Sequence, residues 1–98
     1  MADIIFNYVE MRKAAADIQN IAAKYKTAGV TFETDFLTAI QGWEGDSKTQ
    51  MEKFIKGSVN EYTQKTVPQL LEALAALLNA NAEQMEKADK QIAENIPG

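Results

Sequence analysis

The chain has 98 residues, 46% of them apolar and 24% charged, with a net charge of −4 and no cysteine or histidine. That is the composition of one folded domain, or of part of one shared with a partner, and not of a disordered segment. Without Cys or His there is no zinc or haem ligand, thiol nucleophile or imidazole base, and no Lys/Arg block offers a nucleic-acid footprint.

The opening residues, MADIIFNYVEMRK, lack a basic region followed by an apolar core, so they do not read as a secretory leader. Residues 1–6 read as an extended lead-in. Asn7 and Glu10 have the spacing of a capping box, with Asn7 accepting from the amide at position 10. Phe6 and Met11 have that of a hydrophobic staple. A helix over about residues 8–41 follows. Met11, Ile18, Tyr25 and Phe32 recur every seven residues, Ala14, Ile21 and Ala28 sit three after the first three, and Phe36, Ile40 and Trp43 continue the stripe. Gly29, inside this helix, is either a tolerated flaw or a point of close helix approach.

The stretch AIQGWEGDSKTQ, residues 39–50, breaks the pattern with two glycines around the only tryptophan. It predicts a turn over 42–46, where Gly45 supplies backbone freedom. Trp43 either covers the open end of the helices or stays partly exposed as one wall of a recognition groove.

A second helix is predicted over about 47–94, capped by Ser47 with Gln50, or by Asp46. Its apolar positions include Met51, Ile55, Tyr62, Leu71, Leu74, Leu78, Met85 and Ile92. Glu52–Lys56, Glu61–Lys65, Glu83–Lys87 and Glu86–Lys90 are ordered as solvated i, i+4 pairs. Pro68 predicts a kink or short break near 66–68, because it cannot donate to the carbonyl of Gln64. The run LLEALAALL, residues 70–78, is too short to cross a bilayer.

A short turn between two long helices forces them antiparallel. The fold class is therefore all-α: an antiparallel two-helix hairpin, one domain over 1–98. The second helix should overshoot the first by about 20 Å at 1.5 Å per residue, leaving residues after about Asn81 without a neighbour in their own chain. Two helices cannot enclose a core, so the hairpin is expected to dimerise into a four-helix bundle. Its core, within and between hairpins, is assigned to Met11, Ile18, Tyr25, Phe32, Phe36, Ile55, Tyr62, Leu71, Leu74 and Leu78. The partner is a second copy or a related small helical protein.

Trp43-Glu44-Gly45 at the midpoint of a helical hairpin of about a hundred residues resembles the WXG family of small secreted proteins, the early-secreted-antigenic-target-like family. The resemblance covers the whole chain. Ser47 and Met51 fit the small and apolar positions that often follow the motif. Near the end, Met85, Asp89, Ile92 and Ile96 fit the family's tail pattern, although many members carry Tyr where this chain has Met85.

The resemblance implies export by a type VII secretion system as a folded dimer, with no cleaved signal peptide, enzymatic activity, cofactor or metal. Trp43 and Gly45 would shape the turn. Met85, Asp89, Ile92 and Ile96 would carry the export signal, read with the partner's turn by the membrane ATPase of the secretion machine. The protein would then act outside the cell, in host interaction or bacterial competition. A cytoplasmic adaptor or chaperone for a larger secreted client shares the fold but not the location. Stable membrane insertion and lysis fit poorly with the negative charge and the apolar seam. Catalysis lacks a nucleophile and a companion base.

Overall fold

The computed structural model describes residues 7–95, and every regular element in that span is helical. Helix α1 is Tyr8–Ala39 and α2 is Asp46–Phe54. Two wide π-type turns, Ile55–Val59 and Glu61–Thr66, carry the chain without reversal into α3, Val67–Asn95. The result is a two-helix hairpin 80 Å long and under 20 Å in either cross direction.

The start of α1 is set by Asn7, whose side chain accepts from the amide of Val9 at 2.8 Å, one residue earlier than the capping-box spacing implies. Phe6, the outer half of the expected staple, lies outside the described residues, as do residues 1–5 and Ile96. At its other end α1 tightens. Gln41 donates its amide to Thr38 and Trp43 to Ile40, three residues back, which uses up carbonyls that the α pattern leaves free. Pro68 does not break the second helix. The amide of Val67 reaches five residues back to Tyr62, and this wider turn opens the helix just where the proline ring would press on the carbonyl of Gln64.

The contact row between the helices is not the row of large residues. The innermost positions are Ala15, Ala22 and Gly29 on one side and Pro68, Ala75 and Ala82 on the other, each set repeating every seven residues. No side chain larger than alanine is fully buried among the described residues. Small residues let two helices approach closely, and large ones are then displaced to the flanks of the seam. Of the ten positions expected to form the core, Ile55 is buried, while Met11, Ile18, Phe36, Leu71 and Leu78 are half-buried. Tyr25, Phe32, Tyr62 and Leu74 are exposed in the single chain.

Gly29 marks close approach rather than a tolerated flaw. A Cβ placed there would lie 2.9 Å from Thr63 Oγ1 and 3.1 Å from Gln64 Cγ. Thr63 cannot easily withdraw: it is β-branched, and its hydroxyl donates to the carbonyl of Val59 at 2.9 Å. Beside this contact Asn60 donates to Glu33 across the hairpin at 3.0 Å.

The second helix does not lose its neighbour after Asn81. Ala82 is fully buried, Met85 is half-buried, and Glu86 pairs with Arg12 of α1. The expectation treated both helices as straight α rods leaving a tight turn. In the fold, the long stretch Lys48–Glu86 lies along the shorter Arg12–Gln41, helped by π-type turns that take more residues per turn. Exposure is continuous over residues 87–92, so the neighbour is lost after Glu86, not after residue 81 or 82.

The accessible surface is 7530 Å². A compact chain of this mass would expose about 5,500 Å², so the hairpin leaves roughly 2,000 Å² more in water than a globular monomer. Much of the excess is apolar: Ile21, Phe32, Phe54, Tyr62, Leu70, Leu74 and Leu77 are all exposed.

Gly29→Ala should destabilise the protein by on the order of 1 kcal/mol, the cost of overpacking exceeding the gain in helix propensity. Adding Thr63→Ala, which removes the 2.9 Å hydroxyl contact but leaves the Cβ of residue 63 and the Cγ of Gln64 each 3.1 Å away, should recover part of that loss. Gly57→Ala, with no atom within 4 Å of the new Cβ, should be neutral or stabilising. Urea unfolding of the three variants measures all three effects.

Candidate functional site

Two regions carry the residues singled out by the sequence: the turn and the far end of α3. At the turn Gly45 has φ 86° and ψ −165°. This is a region essentially reserved for glycine, costing other residues about 1–3 kcal/mol. A Cβ on Gly45 would meet nothing within 4 Å, so the dihedral angle, not space, demands glycine. Gly42 has an ordinary φ and equally open surroundings. Only the second glycine of the pair is thus required by the backbone.

Gly45 also occupies the cap position of α2, without any side-chain hydrogen bond. The caps expected from Ser47 or Asp46 are not formed, because both residues already lie inside the helix. Asp46 instead places its charge in the first turn, where it complements the helix dipole. The last turn of α1 contains no basic residue of its own. Lys48 supplies one from across the turn, donating to the carbonyl of Gln41 at 3.0 Å. Lys48 and Gln41 also line an open groove of about 400 Å³ with Thr34, Leu37, Thr38 and Glu52.

Trp43 is 47% exposed. The large residues buried nearest the turn are Ile40 and Ile55, so in the single chain the hairpin end is closed without the indole. The tryptophan backbone is held by its own bond to Ile40, at 2.9 Å, and the ring is a half-exposed apolar surface beside the turn.

On α3, Met85, Asp89 and Ile92 follow one another by four and three residues and so share one side of the helix. Met85 is half-buried against the hairpin, Asp89 is exposed, and Ile92 is 61% exposed. Ile96, the last residue of the pattern, lies outside the described residues. Asp89 continues by one heptad the inward row of Pro68, Ala75 and Ala82, yet it is in water.

A neighbouring residue escaped the sequence reading. The sequence pairs Glu86 with Lys90, which lies 3.5 Å away; its Oε1 also takes the guanidinium of Arg12 across the hairpin. No spacing rule links positions 74 residues apart, so nothing in the sequence marked this pair. The hydrogen bond from Arg12 holds the Glu86 carboxyl below its ordinary value of 4.5; its partial withdrawal from water opposes this, and the charges of Arg12 and Lys90 reinforce it.

Glu52–Lys56 and Glu83–Lys87 also form within 4 Å, as solvated pairs. Among the described residues no cluster of carboxylates could hold a metal ion, and no helix is long and apolar enough to cross a membrane.

An all-helical hairpin turned on Trp-x-Gly, with a glycine-only backbone at the last position of the motif, defines a class of small helical proteins. The profile of the WXG100 family, "Proteins of 100 residues with WXG", matches residues 3–90, and the chain belongs to that family. No curated protein and no solved structure matches it. Members of the family are non-enzymatic helical proteins that are generally secreted as type VII substrates and typically form dimers.

Gly45→Ala should cost about 1–3 kcal/mol, whereas Gly42→Ala should change stability by less than about 0.5 kcal/mol. Gly45→Asn should not rescue, because asparagine tolerates the left-handed helical region but not this one. Thermal unfolding of the three variants checks the claim.

For Glu86, a carboxyl whose value is lowered by folding stabilises the native state above 4.5, and that contribution is lost as pH falls through the lowered value. An NMR titration of its side-chain carbon should find a midpoint below 4.5, moving upward in Arg12→Ala.

Proposed function

We propose that this chain is a substrate of a type VII secretion system, exported folded as a homodimer of hairpins packed into a four-helix bundle, and active outside the cell as a non-enzymatic interaction protein. The observation that carries the reading is the inversion of the hairpin: alanines and a glycine inside, phenylalanines, leucines and tyrosines outside. Covering about 1,000 Å² of that apolar surface would return roughly 25 kcal/mol, more than the ~4–15 kcal/mol that association typically costs. A second copy presents the same stripe, and the excess surface matches the size of a stable interface.

In this reading Trp43 and Gly45 shape one half of the export signal. Gly45 fixes the reversal of the chain, and the half-exposed indole offers an aromatic anchor. Met85, Asp89, Ile92 and Ile96 supply the other half. The exposure of Asp89 and Ile92 beyond the packed part of the hairpin supports it, since a receptor can meet an apolar stripe with a charge in it. The membrane ATPase of the secretion machine is the proposed reader.

Sedimentation of the isolated chain should show a helical two-chain particle, and Phe32→Glu with Leu74→Glu should shift it toward monomer. A folded monomer in the unsubstituted protein would overturn the dimer. Asp89→Ala, and a chain ending at Ala88 that keeps the packed hairpin intact, should be exported about tenfold less or worse, the loss of an interface anchor. Normal amounts of both folded variants in the medium would refute the export signal. Retention of the unsubstituted protein in intact cells with an active secretion system would favour a cytoplasmic adaptor.

A further inference from the structure

We propose that Arg12 and Glu86 form a clasp that sets where the packed hairpin ends and the export segment begins, and that both act as positioning residues for that segment. The inference rests on the export reading above. Among the described residues, theirs is the one ion pair that joins the two arms of the hairpin; the others lie within single helices. Both partners are held a second time. The Arg12 guanidinium sits 5.7 Å from the centre of the Tyr8 ring, and the second carboxylate oxygen of Glu86 takes Lys90.

The position of the pair gives it its role. Ala82 is fully buried and Met85 and Glu86 are half-buried, but residues 87–92 are all exposed. Glu86 is thus the last side chain in this stretch that α1 shields. Beyond it α3 runs on to Asn95. A helical piece this short is marginal in water on its own, so its order must propagate from the last anchored turn. Glu86 is that anchor, and its bond to Lys90 links the anchor to the first free turn. Asp89 and Ile92 lie one and two turns further on, so the clasp governs both how ordered they are and which way they face.

An exposed ion pair adds little to global stability. At a helix end, however, the same small contribution acts on fraying alone, where unfolding is local. The clasp should therefore be nearly silent in the melting temperature and audible in the tail.

Arg12→Ala is the informative variant, because it leaves every residue of α3 unchanged. Amide hydrogen exchange at 87–92 should accelerate about two- to five-fold. Exchange over 67–82 and the melting temperature should stay the same. Export should fall in Arg12→Ala and be largely retained in Arg12→Lys. Glu86→Gln should accelerate the same amides, and the double variant should add little more, the signature of a coupled pair.

Unchanged exchange in Arg12→Ala overturns the clasp, as does faster exchange with normal export. A drop in export that tracks a lower melting temperature would reduce the pair to a structural role and equally overturn it. Asp89→Ala in the same export assay separates the two ideas. If that variant is exported normally, the export reading fails and takes with it the clasp's role in export, while the exchange data still report whether the clasp orders the segment.

Discussion

Close approach of two helices along alanine and glycine is the constraint from which the other features follow. Ala15, Ala22 and Gly29 face the row that includes Ala75 and Ala82, and at Gly29 the opposing Thr63 leaves no room for even one methyl group. Such a seam buries backbone and small side chains, contributing little hydrophobic free energy per residue compared with leucine or phenylalanine. The larger apolar groups are pushed to the flanks, where one hairpin cannot cover them. The exposed apolar stripe on which the proposed dimer rests is therefore a consequence of how tightly the chain packs against itself.

The turn obeys a different constraint. Lys48 reaches back to Gln41 and Trp43 folds its amide onto Ile40, so the chain leaves α1 along a defined path. Gly45 then adopts a backbone conformation that side chains oppose, and α2 starts from it. The fixed geometry holds Trp43 half in water at one end of an 80 Å rod.

At the other end, the hairpin gives out gradually. Small-residue packing continues to Ala82, a half-buried methionine and an ion pair extend it to Glu86, and the next turns of α3 stand in water. The π-type turns matter here. By letting the second helix spend more residues over the same length, they bring Glu86 rather than an earlier residue level with Arg12. How much of α3 stays free is set jointly by the backbone near Pro68 and by side chains far from it.

Much of this was legible in the sequence. Heptad spacing of apolar residues announced two helices, glycines around Trp43 announced the reversal between them, and Trp-x-Gly with a tail pattern pointed to the family. Those are local signals, carried by residues within a turn or two of one another. Which row faces inward was not local. Met11, Ile18, Tyr25 and Phe32 repeat every seven residues, but so do Ala15, Ala22 and Gly29, one position away from another row. Hydrophobicity favoured the first set, while distance between the backbones selected the second. The cap of α2 by Gly45, the reach of α1 to Glu86 and the pairing of that residue with Arg12 were likewise decided only when the two helices met. Periodicity tells a helix which faces it has; only the partner lying against it determines which face is used and where the contact stops.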